Sequence, residues 1–144
     1  MSIEIRVPKD PKEWGSYYDL RWRLLRAPWQ RPRGSEKDEI ESECTHAALF
    51  FDGVLAAVSR LQKNSDSEGQ IRYMAVDNTF QGQKLGKRIL AYLEEQAKEQ
   101  GMTSIVLDAR ENALAFYEAC GYEVFEESYL LYGVIPHFKM RKTL

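Results

Sequence analysis

The sequence predicts a mixed α/β fold (α+β in arrangement), in which helices cover both faces of one central β-sheet. Short apolar segments of strand length recur along the whole chain, and longer segments carry apolar residues at helical spacing. Strand and helix patterns alternate in the second half, as expected of a sheet covered by helices. With 144 residues, the chain is expected to form a single domain over residues 1–144.

The amino-terminal part predicts one strand and two helices. Ile3 and Ile5 alternate with polar residues, which is typical of a half-buried strand. Asp10 can cap the first helix, because Pro11 suits the first helical position. Ser35 and the acidic residues after it predict a short second helix. The buried face of the first helix is expected to contain Tyr17, Leu20, Leu24 and Leu25.

Three strands are predicted in the middle of the chain. Residues 47–51 and 54–61 flank Asp52-Gly53, a dipeptide that favours a hairpin turn. Since the second of these strands is apolar throughout, we expect it to be buried on both faces. A polar loop over 63–70 then precedes a third strand, residues 71–76.

The second half predicts two more helices and three more strands. Apolar residues at helical spacing predict a helix over about 83–100, with Gly101 as its stop. A strand over 105–107 is followed by a helix over 111–120, and two terminal strands flank a turn-rich segment over 126–136. The whole order is β-α-α-β-β-β-α-β-α-β-β.

Composition and charge exclude several classes of protein. Hydrophobic residues make up 44% and charged residues 29% of the chain, which are ordinary values for a folded globular protein. No segment approaches the roughly 18 apolar residues of a membrane span, and the amino terminus does not resemble a signal peptide. We therefore expect a cytoplasmic protein with no membrane partner. Cys44, Cys120, His46 and His137 lack the spacing of zinc ligands, so no metal is expected.

Residues 21–33 contain five arginines and no acidic residue, although the net charge of the chain is −2. Three interpretations of this segment remain open. It could be a nucleic-acid patch, a solvated helix face, or a rim that attracts an anionic substrate. The acidic balance of the whole chain argues against nucleic acid, which is not an expected partner.

The most informative segment is residues 73–86, where a short strand leads through a turn into an amphipathic helix. Backbone N–H groups at a helix start lack intrahelical partners and form the positive end of the helix dipole, so they suit a phosphate. Gly82 and Gly86 allow close approach. Their spacing and the following Lys87-Arg88 do not match a P-loop, and G-x-G-x-x-G does not occur. ATP and NAD are therefore not the expected ligands.

Two motifs in this order resemble those of the GNAT superfamily of N-acetyltransferases. The family's pyrophosphate loop is Val-x-x-x-x-Gln/Arg-x-x-Gly-x-Gly/Ala; Val76, Gln81 and Gly86 match it, and Lys84 replaces its first glycine. Residues 109–122 resemble the family's Asn-x-x-Ala-x-x-x-Tyr-x-x-x-Gly-Phe/Tyr helix. Residues 17–23 and 135–137 are similar to the acetyltransferase half of two-domain proteins that also carry a thioesterase-like domain.

The resemblance implies a GNAT-like sheet and transfer of an acetyl group from acetyl-CoA directly to an amine. It implies a bulge in the fourth strand, where Met74, Ala75 and Val76 would bind the pantetheine arm and the acyl carbonyl. Tyr117 would be the general acid. Helical spacing predicts that Ala113, Phe116 and Cys120 form the core stripe of this helix and that Tyr117 lies at its edge, where its hydroxyl can reach the cleft. The pyrophosphate would be bound by Gln81, Gly82, Gln83, Lys84, Leu85, Gly86 and Lys87.

Several roles stay open at this level. Arg110 stands where the family has asparagine and could bind an acidic group of the substrate, while Asn112 could contact the pantetheine or be a cap or first-turn residue of its helix. The acceptor, a small-molecule or protein amine, is expected to lie against residues 22–35 and 126–137. Candidate bases are Glu43, His46, a carboxylate partner of Arg72, Glu111, His137 or a water chain.

Two rival functions are a catalytically silent acyl-CoA-binding or regulatory module with the same fold, and a partner domain for a thioesterase or acyl-carrier protein. An exposed terminal strand could also pair in a homodimer.

Overall fold

The computed structural model describes residues 2–144, and these build one seven-stranded sheet with three α-helices. In chain order the elements are β1 (Ile3–Arg6), α1 (Pro11–Leu25), β2 (Thr45–Phe51), β3 (Val54–Lys63), β4 (Glu68–Val76), α2 (Leu85–Glu99), β5 (Ser104–Arg110), α3 (Leu114–Ala119), β6 (Glu123–Leu131) and β7 (Ile135–Thr143). The sheet order is β1-β2-β3-β4-β5-β7-β6. Only β4 and β5 pair in parallel, so the predicted mixed sheet is confirmed.

Helices cover both faces of the sheet, as predicted. Tyr17 and Leu20 of α1 pack with Ala48 and Val58 on one face. On the other face, α2 and α3 pack against alternate residues of the same strands, including Leu49. Strands β2 and β3 are therefore apolar on both sides because each side meets a helix. The start of α1 is also as predicted, with the Asp10 carboxylate accepting a hydrogen bond from the Glu13 backbone N–H at 2.8 Å.

The predicted second helix is wrong. After Ser35 the chain forms turns, and the only helical piece there is a 3-10 turn at Glu41–Glu43. The acidic residues that suggested a helix cap are instead held by buried arginines of other elements. Asp38 and Glu41 accept hydrogen bonds from Arg60, which is fully buried. These tertiary ion pairs outweigh the weak local preference for a helix.

The predicted turn-rich segment over 126–136 is also wrong. Strand β6 runs to Leu131 and β7 begins at Ile135, so only a tight connection separates the two. Register shifts between Val124 and Glu126, and again between Glu127 and Leu130, break the two-residue alternation that would have indicated a strand. Most side chains of this edge strand are exposed, so no apolar pattern marks it.

Candidate active site

A cleft opens in the sheet where β4 and β5 separate. The two strands pair only from Glu68–Ser104 to Ile71–Leu107, although β4 continues to Val76 and β5 to Arg110. Beyond Ile71, the backbone groups of β4 that face β5 have no strand partner there. They are available to a ligand.

Strand β4 bulges at the same place. Tyr73 and Met74 together stand opposite Ser59 of β3, and Tyr73 has a φ of +60°. The bulge that the resemblance implied is therefore present. Four guanidinium groups lie within cation–π distance of the Tyr73 ring, with Arg21 nearest at 4.2 Å, so the ring is held by its neighbours in this strained stretch of backbone.

The loop after β4 leads into α2 with an uncapped helix start. Gly82 has a φ of +80°, and Lys84, at the cap position of α2, has a φ of 62° and a ψ of 25°. Lys84 therefore occupies the left-handed region that the family's glycine would adopt freely. Among residues 2–144, no side chain accepts a hydrogen bond from the first turn of α2, so its N–H groups are free to bind an anion.

A cavity of about 450 Å³, here called the smaller cavity, joins these features. Phe116 of α3 packs close to Gly86 of α2: a Cβ atom at Gly86 would lie 3.2 Å from the Phe116 ring, so any larger residue would require this ring to shift by a few tenths of an ångström. Gln83 and Lys87 do not line the smaller cavity. The residues predicted to bind the coenzyme that do line it are Met74, Ala75, Val76, Gln81, Gly82, Lys84, Leu85, Gly86 and Asn112.

Two predictions about the α3 region need correction. Phe116 is 36% exposed and lines the smaller cavity, whereas Tyr117 is buried in the core. Ala113, Tyr117 and Cys120 pack against the core at i, i+4 and i+7, so the buried stripe has helical spacing but passes through Tyr117 instead of Phe116. Asn112 lies in the 3-10 turn Glu111–Ala113 before α3 and does not cap this helix, so the predicted cap is wrong.

Tyr117 nevertheless reaches the cleft. It lines the smaller cavity and also a larger cavity of about 660 Å³. Its hydroxyl forms no hydrogen bond with any of residues 2–144, and burial raises the pKa of Tyr117 to about 12. The hydroxyl therefore stays protonated at neutral pH and is free to donate to a ligand.

The larger cavity lies on the other side of Tyr117 and Met74, which line both cavities. The end of α1 contributes Arg26, and β6 and β7 contribute Tyr129 and His137. These three residues fall in the segments 22–35 and 126–137 that were expected to line the acceptor site.

Charged side chains of the larger cavity differ in how they are used. Arg72 lies 3.3 Å from the Asp38 carboxylate, and Arg26 donates to the carbonyl oxygens of Leu25 and Ser35. Arg110, in contrast, forms no side-chain hydrogen bond or ion pair with any of residues 2–144. Asp108 is the one carboxylate among the described lining residues, and its Oδ1 accepts a hydrogen bond from Ser128 Oγ at 2.6 Å. Sequence reasoning missed Asp108, because a single acidic residue in a strand carries no signal.

His137 is the one candidate base that lines the larger cavity. Its ring stacks on Tyr129 with centroids 4.5 Å apart, and Nδ1 lies 3.0 Å from the Ile135 carbonyl oxygen. Since a carbonyl only accepts, Nδ1 carries the proton and Nε2 keeps a lone pair. Burial, together with the charge of Arg110, lowers the pKa of His137 below its usual value, although the Ile135 contact and Asp108 oppose the shift.

The other candidate bases are less suitable. Both ring nitrogens of His46 are engaged, one with the Tyr17 hydroxyl at 2.8 Å and one with the Glu41 carbonyl at 2.7 Å. The carboxylate partner of Arg72 is Asp38, and the hydrogen bond from Arg60 lowers its pKa to about 2, which makes it a weak base. Neither Glu43 nor Glu111 lines the two cavities.

Within residues 2–144, no group of three or more His, Cys, Asp or Glu side chains is placed to hold a metal ion. In the same part of the chain, none of the helices is long and apolar enough to cross a bilayer.

A parted parallel strand pair, a free helix start and two cavities that meet at a tyrosine form the arrangement that the GNAT resemblance implied. Comparison with known proteins agrees. Residues 14–122 match the family model for the acetyltransferase (GNAT) family, and the chain belongs to this family. It is thus a GNAT-type N-acetyltransferase.

Two curated relatives come from Bacillus subtilis. The uncharacterized N-acetyltransferase YitI is 25% identical over 133 residues, which cover 88% of this chain and 89% of YitI. The uncharacterized N-acetyltransferase YjcF is 30% identical over 111 residues, covering 77% of this chain and 79% of YjcF. Both are matched over most of their own length, and the resemblance to two-domain proteins with a thioesterase-like domain is not shown.

Solved structures share the fold. Ard1 from Thermoplasma volcanium superposes with a TM-score of 0.84 at 20% identity, covering 100% of this chain and 99% of Ard1. An aminoglycoside 6'-N-acetyltransferase complexed with coenzyme A gives a TM-score of 0.84 at 17% identity, covering 99% of this chain and 97% of that one.

Proposed function

We propose that this protein transfers an acetyl group from acetyl-CoA directly to the amine of a small-molecule or protein acceptor. One observation carries the proposal: the two cavities meet at Met74 and Tyr117, beside the unpaired edge of β4. The smaller cavity would hold the donor and the larger cavity the acceptor. A structural neighbour, an aminoglycoside 6'-N-acetyltransferase, was solved in complex with coenzyme A, which supports coenzyme A as the donor.

The smaller cavity suits a phosphorylated donor. Free N–H groups of Leu85, Gly86 and Lys87 would bind the pyrophosphate, and the Lys84 ammonium would add a positive charge. The loop residues Gln81, Gly82 and Gln83 would complete this binding site.

The pantetheine arm would lie along the unpaired edge of β4, where the backbone of Met74, Ala75 and Val76 offers hydrogen bonds. The carbonyl oxygen of Val76 already accepts one from Gln81 Nε2 at 2.9 Å, which ties the loop to the strand. Asn112 lines both cavities and could contact the same arm.

Three groups would then assist the reaction. A backbone N–H at Met74 stabilises the oxyanion that develops as the amine attacks the acyl carbon. Nε2 of His137 takes the proton that the amine nitrogen loses as the C–N bond forms and the C–S bond breaks. Tyr117 donates to the departing sulfur. With its pKa of about 12 lying above the roughly 8.5 of a thiol, Tyr117 acts chiefly as a hydrogen-bond donor. The proton that His137 took from the amine is then returned to the thiolate, which restores the neutral imidazole and gives the free thiol.

The two residues that depart from the family motifs, Lys84 and Arg110, do not block the cleft. Lys84 points to altered rather than absent coenzyme binding, and Arg110 lies in the larger cavity. No specific observation therefore favours the catalytically silent module. The homodimer remains a proposal, supported by the exposed edge strand β6, whose Leu130 side chain is 54% exposed. A thioesterase or acyl-carrier partner and a cytoplasmic location stay predictions.

The test uses two matched substitutions, Tyr117→Phe and Tyr122→Phe. Thiol release from acetyl-CoA is measured with a broad panel of amines, and coenzyme binding is measured by calorimetry. Tyr117→Phe should keep its coenzyme affinity and lose about 10²-fold or more in turnover. Tyr122→Phe is the control: its hydroxyl donates to Glu94 at 2.9 Å away from both cavities, so it should lose stability and keep its turnover.

Each unfavourable result has its own meaning. If acetyl-CoA does not bind, the assignment of the smaller cavity is wrong. Coenzyme binding without turnover on any amine would instead indicate the silent module. Full activity of Tyr117→Phe would remove Tyr117 from the mechanism while leaving the reaction intact.

A further inference from the structure

We propose that the larger cavity selects amines that also carry a carboxylate a few bonds away, and that Arg110 binds this carboxylate. The inference rests on the proposed function in taking the larger cavity as the acceptor site. It adds the chemical class of acceptor.

Unused positive charge in the cavity is the first argument. Arg26, Arg72 and Arg110 all line it, and among them Arg72 is offset by Asp38. The Arg110 guanidinium has no hydrogen-bond or ion-pair partner among residues 2–144. Because a guanidinium offers paired N–H donors that match the two oxygens of a carboxylate, an unpartnered one in a cavity points to an anionic ligand.

The position of Arg110 is the second argument. Arg110 on β5 and His137 on β7 are direct partners in the antiparallel register, so their side chains emerge side by side on one face of the sheet. Asp108 lies two residues before Arg110 and therefore shares that face. A carboxylate held by Arg110 would thus lie next to His137, the group that takes the proton of the amine.

The opposite charge needed for the amine is also present. Asp108 is held in place by Ser128 and, at 3.4 Å, by Gln70 Nε2, so its carboxylate is oriented before a ligand arrives. An ammonium group drawn to Asp108 would lie beside the base. The face therefore offers an anion and a cation two residues apart, which matches an acceptor that carries both charges close together, such as a small amino acid.

The electrostatic environment of Tyr129 supports the same grouping. Burial raises the pKa of Tyr129, and Asp108 adds to the shift, whereas Arg72, Arg26 and Arg110 oppose it. All four charged groups thus act on one side chain of the cavity wall. Of the five arginines in residues 21–33, Arg26 lines the larger cavity, which agrees with the interpretation of that segment as a rim that attracts an anionic substrate.

The experiment compares small amino acids with their carboxamides, which keep the amine and lack the carboxylate. In the wild type, kcat/KM should be at least tenfold higher for the acid of each pair. Arg110→Gln should lower kcat/KM for the acids about tenfold to a hundredfold and leave the amides within about threefold, which abolishes the preference. Arg110→Glu should reverse the preference towards diamines such as 1,4-diaminobutane.

Arg141→Gln is the matched control, since Arg141 is an exposed arginine of β7 that stacks on Phe125 and lines neither cavity. Circular dichroism checks that all variants fold. The second readout does not require turnover: binding of the same amino acids and amides is measured by NMR with coenzyme A present, for the wild type and for Arg110→Gln.

The two readouts separate this inference from the proposed function. Amino acids that bind through Arg110 without being acetylated would support the inference and contradict the function. Acetylation of amines with equal kcat/KM for acids and amides would overturn the inference and leave the function standing. An acid preference that survives in Arg110→Gln would assign the carboxylate site to another residue and equally overturn the inference.

Discussion

Replacing Lys84 with glycine should make the protein more stable and its coenzyme binding weaker. Lys84 adopts the left-handed conformation, with a φ of 62° and a ψ of 25°, at the first residue before α2. A residue with a side chain pays about 1–2 kcal/mol for this conformation, and a cation at a helix start adds about 0.3–1 kcal/mol. Glycine has more conformational freedom in the unfolded chain, and this cancels about 0.4–1 kcal/mol of the stabilisation gained by removing Lys84.

The net gain in the free energy of unfolding is therefore about 1 kcal/mol. For a chain of 144 residues this corresponds to an increase of about 3 °C in Tm. Urea unfolding and calorimetry measure both quantities. Lys84→Ala is the matched control, because alanine removes the charge and keeps the strained backbone, so it should gain only a few tenths of a kcal/mol.

Coenzyme affinity gives the second half of this prediction. If the Lys84 ammonium contacts a phosphate, both variants should bind coenzyme A about twofold to fivefold more weakly, as expected for a solvent-exposed ion pair. A glycine variant that is less stable than the wild type, or no more stable than the alanine variant, would refute the strain argument. Unchanged affinity in both variants would refute the phosphate contact.

Two further predictions concern packing and catalysis. Gly69→Ala should destabilise the protein by about 1–3 kcal/mol, because the new Cβ atom would lie 2.6 Å from Met102 Sδ and 2.9 Å from Leu61 Cδ1. Gly15→Ala has open space within α1 and should instead gain about 0.5–1 kcal/mol in urea unfolding; equal effects at the two sites would contradict the packing. In a pH series, wild-type kcat should fall as His137 becomes protonated, with an apparent pKa below 6.5. His137→Gln should lower kcat about 10²-fold and remove this fall of kcat at low pH. If the fall persists in the variant, His137 is not the base.

Local patterns predicted the elements whose signals are contained in a few neighbouring residues. The Asp52-Gly53 hairpin and the Asp10-Pro11 helix start are present as expected. The helix predicted over 83–100 spans Leu85–Glu99. In each case a turn residue, a cap or a helical repeat decides the structure locally.

Elements that depend on distant partners were predicted poorly. The acidic segment after Ser35 does not form a helix, because Arg21 and Arg60 bind its carboxylates from other elements. Strand β6 was read as a turn-rich segment, since its pairing with β7 rests on backbone hydrogen bonds and on bulges that hide its alternation. The burial of Tyr117 in place of Phe116 was not predicted, because helical spacing allows either the i+3 or the i+4 neighbour of Ala113 to face the core, and only the packing of α3 against the sheet selects Tyr117.

The sequence by itself determined most of the strands and helices, the glycine-containing turn from β4 into α2 and the position of Tyr117 in the second motif, because these depend on residues close in the chain. Only the tertiary structure decided the larger cavity. Its Arg26, Asp108, Arg110 and His137 come from three separate elements, and the register of β5 with β7 alone sets Arg110 beside His137. Charges that meet across a sheet leave no pattern along the chain, so their chemistry is visible only once the strands are paired.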